Sequence, residues 1–429
     1  MKKISVLVLI SLMFVFTLNS YAGVQTYTEI GLKDKTDQNL KFLDEVIDLI
    51  KKHFFDKKYC GQDLVKLRVK HKTQVADAKN STELHNAVNE MIAKFGVSHF
   101  AVIEKEIYQG IDNERTNTLA PEFGFKLRKL DGKYFATRFS EGGTAEKAGL
   151  QLGDEIISID DIKIAECKKV IDAGNDVGIP GPEYFVIKAK KNEKITLSIR
   201  RKKDAKPQKL KIQALEHNET KSVENSIKVI EKDGKKFAYI HTWHFLTRKI
   251  ANTFHSAIDN QFAECDAMIL DIRGHGGNMV VVRMLLASFT KLKEPFRMRI
   301  AKWEKPLIVL IDEGSRSAKE IFAHEIQREK LGTLIGRRTQ GAVLATNFFK
   351  LSDDSALMLP VLDGARFTKD GKTLEGNGVE PDIVVPFQLE YASGTDAILE
   401  RGIKYAAKIT SEKDDKKVEK PLKTEDEDF

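Results

Sequence analysis

A serine and a histidine stand side by side in the stretch FGVSHFAVI, residues 95–103, inside an otherwise apolar run. Histidine has an unperturbed pKa of about 6.5, so it can exchange a proton near neutral pH. A serine hydroxyl is a weak nucleophile until a neighbouring imidazole accepts its proton. The apolar run predicts a buried strand, in which Ser98 and His99 point to opposite faces. The pair is therefore either part of a catalytic site or a structural feature at a strand end.

A second serine, Ser317, stands three residues before Glu320 in the stretch IDEGSRSAKEIFAHEI. Ser-x-x-Glu in front of an apolar helical run is the signature of a capping box. A helix N-terminus also stabilises an oxyanion that develops beside it, because it is the positive end of the helix dipole. Taken alone, the spacing favours a helix cap, in a place that would also support chemistry.

Two helices precede the Ser98–His99 pair. Apolar residues recur at helical spacing in the stretch 38–70, and Ser81 is a candidate N-cap for the following helix, STELHNAVNEMIAKF. These patterns predict an N-terminal helical cap region, residues 23–117, which carries the pair.

Residues 216–390 alternate apolar strands with helical stretches, which is typical of an α/β core. The predicted strands are KFAYIHTW, DAMILDI, PLIVLID and GTLIGR, and the predicted helices are NMVVVRMLLASFT and AKEIFAHEIQREK. The fold class is therefore α/β and multi-domain. Residues 391–429 are expected to form a C-terminal helix and a charged tail, SEKDDKKVEKPLKTEDEDF, which should be disordered.

The first 22 residues combine two lysines, an apolar stretch and small residues before Gly23, which predicts a secretory signal peptide. The apolar stretch is shorter than the roughly 20 residues that span a bilayer. The residue directly after the predicted cleavage site is Gly23 and not a cysteine, so a lipid anchor is not favoured. We expect an exported, soluble protein, periplasmic or secreted, with no integral membrane span.

Between these regions, residues 118–215 consist of short strands and turns. Glu122, Phe123, Gly124 and Phe125 resemble the carboxylate-binding loop of PDZ domains, and GTAEKAGLQLGDEIISID is similar to their SPAxxAGLxxGDxIxxI signature. The resemblance implies a PDZ-like β domain, here called the middle domain. It would hold a peptide C-terminus on backbone N–H groups while the peptide adds a strand to the sheet edge. The enlarged loop GNDVGIPGPEYF has no role that the sequence indicates.

Three stretches of the α/β core resemble, in order, the tail-specific or C-terminal processing serine peptidases. They are MILDIRGHGGN, a strand with a glycine turn; IDEGSRSAKEIFAHEI, the segment of the nucleophile; and LEGNGVEPDIVVP, a closing strand. The resemblance implies Ser317 as the nucleophile. One position departs from the family, because its Ser/Lys branch has a basic lysine 25 residues after the serine, where this chain has Ala342.

The tricorn core protease, within the same superfamily, resembles this chain at the positions that matter. It has a histidine base preceded by a serine, as in FGVSH, and a glutamate before a GVxPD turn, as in LEGNGVEPD. This resemblance implies His99 as the general base, with Ser98 and Glu375 as orienting partners. Such a third group fixes the tautomer of the imidazole.

An oxyanion hole is expected from the N–H of Ala318, which follows the nucleophile, and from that of Gly276 or Gly277 in the glycine turn. His275, in the same turn, is an alternative base. Lys319 lies near Ser317 in sequence but is a poor substitute for the missing lysine. Lys302 and Lys350 are nominal candidates for a relocated lysine, with no motif to support either.

Other classes of function have little support in the sequence. The 70 basic and 63 acidic residues are interspersed, which argues against nucleic-acid binding. The three cysteines are too few and too scattered for a zinc site or a disulfide framework. His241 and His244 would face opposite ways on a strand, so no metal is expected, and no cofactor motif is present. The prediction is an exported serine endopeptidase acting on polypeptides, and the alternatives are a catalytically inactive polypeptide-binding protein and a Ser/Lys enzyme.

Overall fold

The computed structural model of the protein describes residues 34–290 and 300–418. The predicted signal peptide therefore lies outside the described residues, as does the last part of the charged tail. In the described ranges, no helix combines the length and the apolar character needed to cross a membrane.

The N-terminal cap region is helical, as predicted. Its helices are α1 (34–53), α2 (Leu64–Ala76), α3 (Ser81–Ile92) and α4 (Lys105–Thr116). The helical pattern over 38–70 does not form one helix, because Tyr59 and Cys60 have φ angles of 52° and 54° and turn the chain between α1 and α2. The N-cap of α3 is Asn80, whose side chain accepts a hydrogen bond from the Glu83 N–H at 2.9 Å, and not Ser81 as predicted.

The strand predicted around the Ser98–His99 pair is shorter than expected. Strand β1 covers only Ala101–Ile103, and it lies in a three-stranded sheet with β17 (Ala345–Lys350) and β18 (Ala356–Leu362), in the order β1-β18-β17. His99 precedes this strand in a left-handed conformation, with φ of 55°. The prediction that 97–100 is extended was therefore wrong. Through β1, this sheet also joins the cap region to the hairpin of β17 and β18, which follows β16 of the core in the chain.

The middle domain is built on one antiparallel sheet in the order β10-β9-β5-β4-β3-β8-β7, with β6 paired to β5. The strands are β2 (Ala120–Glu122), β3 (Lys126–Leu130), β4 (Lys133–Thr137), β5 (Glu155–Ile159), β6 (Ile162–Lys163), β7 (Val170–Asp172), β8 (Tyr184–Ile187), β9 (Lys194–Arg200), β10 (Gln208–Gln213) and β11 (Leu215–His217). A short helix, α5 (Thr144–Lys147), follows β4, and β2 pairs with β11 outside the main sheet.

The α/β core forms a six-stranded sheet in the order β12-β13-β14-β15-β16-β19. Its strands are β12 (Lys228–Lys232), β13 (Lys235–His241), β14 (Ala267–Asp271), β15 (Leu307–Ile311), β16 (Thr333–Gly336) and β19 (Ile383–Val384). Strands β13, β14, β15, β16 and β19 are parallel to one another, with registers such as Ile269 opposite Ile308. All four strands that were predicted from apolar runs are confirmed.

Helices cover both faces of this sheet, as expected for buried parallel strands. The helices of the core region are α6 (Glu219–Ser226), α7 (Arg248–Asn260), α8 (Met279–Leu286), α9 (Ala318–Arg328) and α10 (Ala397–Val418). Helices α7, α8 and α9 share one apolar core with the sheet, and α10 packs on the other face. Because α10 continues to Val418, the expected disorder of the charged tail was wrong for residues 411–418.

The order of the strands brings three loops that the sequence analysis singled out to one edge of the core sheet. The glycine turn follows β14, the Ser317 segment follows β15, and the loop that contains Ala342 follows β16. These three strands are parallel neighbours, so their carboxyl ends meet, and ligands bind at such an edge in open α/β sheets.

Candidate active site

Ser317 is the N-cap of α9 and has an unusual backbone, with φ of 57° and ψ of −128°. An ordinary N-cap residue has an extended backbone. Left-handed conformations of residues other than glycine are strained and persist where surrounding contacts hold them. Here the Ser317 N–H donates to the Ala342 carbonyl at 2.7 Å and to the Glu320 carboxylate at 3.1 Å. The predicted capping partner Glu320 is thus present, and the turn holds Ser317 at the carboxyl edge of the sheet.

Glu320 ties the nucleophile segment to the loop after β16. Its buried carboxylate accepts hydrogen bonds from the Thr339 hydroxyl at 2.6 Å and from the N–H groups of Gly341 and Ala342 at 2.7 and 2.8 Å. Burial raises the pKa of Glu320 to about 7, and these donors oppose the shift. The Glu320 carboxylate therefore links the backbone at Ser317 to the backbone of the loop after β16.

Ala342, at the place of the lysine of the Ser/Lys branch, does contact the nucleophile segment through its carbonyl. Its methyl group is fully buried and cannot accept a proton. The next residue, Val343, donates its N–H to Glu375 at 2.9 Å. The loop thus connects Ser317 to the glutamate that the sequence singled out.

Ser98, His99 and Glu375 form a continuous hydrogen-bond chain. The Glu375 carboxylate accepts from the Ser98 N–H at 2.8 Å and from the Ser98 hydroxyl at 2.9 Å. Since this hydroxyl donates to Glu375, it accepts from Nδ1 of His99, which lies 3.0 Å away. The hydrogen-bond network therefore assigns the proton of the neutral ring to Nδ1 and leaves a lone pair on Nε2.

His99 lies with Ser317 in one cleft of about 1610 Å³, between the cap region, the middle domain and the core. Burial, followed by the nearby Arg316 guanidinium, lowers the pKa of His99 to about 3, and Asp176 opposes the shift. The imidazole is therefore neutral at pH 7, which is the state in which it can accept a proton. The conversion of the expected strand into a left-handed turn allows both Ser98 and His99 to contribute to this site.

The glycine turn after β14 lies directly against the nucleophile. A Cβ atom on Gly276 would lie 2.7 Å from the Ser317 Cβ and 3.3 Å from its hydroxyl oxygen. A Cβ atom on Gly277 would lie 2.3 Å from Phe245, so both positions require glycine. Ala318, the first residue of α9, is the third expected donor and lines the same cleft. The glycine turn and the start of α9, which carry the N–H groups predicted to bind an oxyanion, thus line the same cleft as Ser317.

The alternative base His275 is occupied by another contact. Its Nε2 accepts a hydrogen bond from the Lys126 ammonium group of β3. Burial, followed by nearby cations, lowers the pKa of His275 well below its usual range. The ring therefore has no Nε2 lone pair to offer to Ser317.

The candidate lysines are also held elsewhere. The fully buried ammonium of Lys319 donates to the carbonyls of Thr242 and Trp243, and burial lowers its pKa to about 7. Lys302 donates to the Ala287 carbonyl at 2.6 Å, and Lys350 pairs with Asp354 at 2.7 Å. These contacts argue against a relocated catalytic lysine.

Three side chains of ligand type, Glu114, Glu219 and His244, have donor atoms within 4.8 Å of one another. The Leu246 N–H donates to Nδ1 of His244 at 3.0 Å, so Nε2 carries the proton of the neutral ring and donates to Glu114 at 3.0 Å. The Lys126 ammonium lies 3.5 Å from Glu219. The His244 lone pair is used by a backbone donor, and the group is therefore an ion-paired network and not a favourable metal site.

His241, the other histidine that raised the question of a metal, is the last residue of β13 and lies apart from this network. Its ring lies between the Glu141 carboxylate at 2.5 Å and the Arg273 carbonyl at 3.0 Å. Both ring nitrogens therefore have protein partners.

The predicted peptide-binding loop leads into β3. Phe123 and Phe125 are buried in the core of the middle domain, and a Cβ atom on Gly124 would lie 3.2 Å from the Thr144 nitrogen. Burial raises the pKa of Glu122 to about 7. The loop thus packs closely against the start of α5 at Gly124.

The sheet edge next to this loop is not open to a peptide. Strand β3 pairs with β4 on one side and with β8 on the other, with Leu127 opposite Phe185 and Arg128 opposite Tyr184. A peptide strand cannot add where β8 already pairs. The expectation of strand addition is therefore corrected at these positions, because the enlarged loop brings its own strand.

The sequence analysis did not identify Asp176, which contacts the active-site segments from a loop that carries none of the recognised motifs. Asp176 lies in the stretch GNDVGIPGPEYF, and its carboxylate accepts the His99 N–H at 2.7 Å and pairs with Arg316 at 3.1 Å. No periodicity marks an aspartate that acts on residues so distant in the chain. The available signal was the unusual enlargement of the loop itself.

Comparisons with known proteins find peptidases to which this chain is similar. Residues 236–385 match the sequence profile of Peptidase family S41, and residues 39–93 match that of the Tricorn protease C1 domain. A carboxyl-terminal-processing protease of Synechocystis is 24% identical over 85% of this chain and 87% of its own length. The tricorn protease of Thermoplasma volcanium is 24% identical over 89% of this chain, which spans only 37% of that protein.

Solved structures show the same fold. The crystal structure of the tricorn protease matches with a TM-score of 0.53 and 19% identity, over 88% of this chain and 37% of that one. A putative S41 protease from Bacteroides fragilis matches with a TM-score of 0.51 and 16% identity, over 85% of this chain and 97% of that one.

Proposed function

From the premise that residues 236–385 belong to Peptidase family S41 and that the protein is a serine-type peptidase, we propose that Ser317 is its nucleophile and His99 its general base. The observation that carries this assignment is the hydrogen-bond chain from Glu375 through Ser98 to His99. It reproduces the order of roles in a catalytic triad with one additional hydroxyl.

In the first half of the reaction, the Ser317 hydroxyl oxygen attacks the carbonyl carbon of a peptide bond. The Nε2 atom of His99 takes the hydroxyl proton, and the new positive charge on the ring is stabilised through Ser98 by the Glu375 carboxylate. The carbonyl oxygen becomes an oxyanion, which the N–H groups of Ala318 and the glycine turn stabilise. His99 then gives its proton to the leaving amine as the carbon–nitrogen bond breaks.

In the second half, water attacks the acyl-enzyme ester and His99 accepts one of its protons. The tetrahedral intermediate collapses, the ester bond to Ser317 breaks, and the proton returns to the serine oxygen. The products are two shorter polypeptides, and these steps require no cofactor.

We also propose that the substrates are unfolded or have exposed C-termini. The cleft beside Ser317 is large enough for an extended segment, and the Synechocystis relative is named for carboxyl-terminal processing. Cleavage of one protein in its folded and unfolded states, each with a free or an amidated C-terminus, distinguishes the two requirements.

Export is the third element of the proposal, and it depends on the signal-like first 22 residues. The intact mass of the protein recovered outside the cytoplasm should correspond to a chain that starts at Gly23. A full-length chain retained in the cytoplasm would contradict export.

The main test is cleavage of an unfolded polypeptide by the Ser317→Ala, His99→Ala and Lys319→Met variants, with Ser352→Ala as the control at an exposed serine. Loss of the nucleophile or the base should lower kcat by about 10³-fold or more. Lys319→Met should keep serine-dependent cleavage, since that lysine is bonded to carbonyls. Folded wild-type protein that binds the polypeptide without Ser317-dependent cleavage would instead support the inactive binding protein.

A further inference from the structure

The loop between β7 and β8, residues 173–183, extends from the middle domain to the active site. Its Asp176 has a carboxylate that is only 1% exposed. One carboxylate oxygen accepts the His99 N–H at 2.7 Å. The other lies 3.1 Å from the Arg316 guanidinium and accepts from the Gln340 amide at 3.1 Å. A single side chain thus connects the segment of the base, the segment of the nucleophile and the loop after β16.

Close backbone packing holds this loop in place. A Cβ atom on Gly178 would lie 2.1 Å from the Val97 carbonyl oxygen, two residues before His99. At the base of the loop, the Asn175 side chain accepts the Tyr184 N–H at 3.0 Å, next to the pairing of β8 with β3. The position of Asp176 therefore depends on β8 remaining paired in the middle domain.

We propose that Asp176 is a positioning residue for the peptidase reaction, which holds the backbone of His99 and the guanidinium of Arg316 at fixed places beside Ser317. The inference rests on the proposed function. It assigns the enlarged loop of the middle domain a part in assembling the active site.

The conformation of His99 supports this role. A left-handed histidine is strained and needs partners that hold it, and its N–H group donates to Asp176. The Asp176 carboxylate also balances the positive charge of Arg316 near the imidazole. Two charged groups act on the ring, since Arg316 lowers the pKa of His99 and Asp176 raises it. The other polar partner is Ser98, which is bonded in turn to Glu375.

The experiment compares Asp176→Asn with Glu183→Gln, which removes a carboxylate charge from an exposed position of the same loop. Asparagine keeps an acceptor for the His99 N–H but presents an amide, and no charge, to Arg316 and Gln340. We expect kcat to fall by about 10- to 100-fold in Asp176→Asn, with KM within about threefold of wild type. Glu183→Gln should match wild type in both constants.

The pH profile separates positioning from a loss of folded protein. The acid limb of kcat/KM should move to lower pH in Asp176→Asn and to higher pH in Arg316→Gln, because the two charges act on His99 with opposite sign. Misfolding would lower the amplitude without opposite shifts. An unchanged kcat in Asp176→Asn, or limbs that move in the same direction, would overturn the inference while wild-type cleavage still supported the proposed function. Wild-type protein without Ser317-dependent cleavage would overturn both.

Discussion

Substitution of Gly276 by alanine tests how closely the glycine turn approaches the nucleophile. The added Cβ atom would lie 2.7 Å from the Ser317 Cβ. Carbon atoms in contact are usually about 3.5–4.0 Å apart, so one of the two segments must move by about 1 Å. Ser317 cannot easily yield, because Ala342 and Glu320 both accept its N–H. We expect the glycine turn to move and its N–H groups to leave the oxyanion.

The magnitude follows from the loss of one oxyanion donor, which costs about 10²- to 10³-fold in kcat, or roughly 2.7–4 kcal/mol of transition-state stabilisation. A displacement of about 1 Å in positioning groups has a comparable effect of about 10²-fold. Ground-state binding of the polypeptide depends on the whole cleft, so KM should change far less than kcat.

The assay measures cleavage of a labelled unfolded polypeptide and the thermal unfolding midpoint of the same samples. Gly110→Ala in α4 is the matched control, because a Cβ atom there meets no atom within 4 Å and the backbone is not left-handed. It should keep full activity and gain about 0.4–1 kcal/mol of stability. If Gly276→Ala keeps its activity within about threefold of wild type, the placement of the oxyanion beside Gly276 is refuted.

Four further outcomes are expected. Glu375→Gln should lower kcat by about 10²-fold or more, because the anion that stabilises protonated His99 is lost; single-turnover acylation checks this, and an unchanged acylation rate would contradict it. The kcat/KM of wild type should stay level as pH falls through 6.5, because burial lowers the pKa of His99 to about 3, and a limb at 6.5 in a pH–rate profile would show a solvated base. By the same shift, the free energy of unfolding should decrease as pH falls from 6.5 toward 3 in chemical denaturation, since only the unfolded chain binds the proton there. Gly178→Ala should displace the β7–β8 loop from the Val97 carbonyl and reduce cleavage, whereas the Gly110→Ala control should retain it. Equal activities of the two variants would argue against this close packing.

The middle domain resembles PDZ domains in sequence, but its sheet edge at β3 is not left open for a peptide as the sequence suggested. Strand β8 occupies the edge of β3 at Leu127 and Arg128, and the loop before β8 delivers Asp176 to the base. A peptide that replaced β8 would also withdraw Asp176 from His99. The geometry thus favours a domain that acts on the active site over one that only captures C-termini.

The sequence by itself determined the features that local patterns encode. The apolar runs of the parallel strands predicted the α/β core, because buried strands require continuous apolar side chains. The spacing of Ser317 and Glu320 predicted the start of α9, since capping acts over one helical turn. The motifs around His99 and Glu375 also identified which residues would meet, but only through resemblance to a known family.

The tertiary structure decided how those residues meet. Ser98 contacts Glu375 across 277 positions of the chain, and His99 contacts Asp176 across 77. A hydrogen bond between such distant residues leaves no periodic signal, because it depends on how sheets, loops and helices pack. The left-handed turn at His99 is an example: local propensity favoured a strand, and the contacts with Asp176 and Glu375 stabilise a turn that brings both Ser98 and His99 into one site.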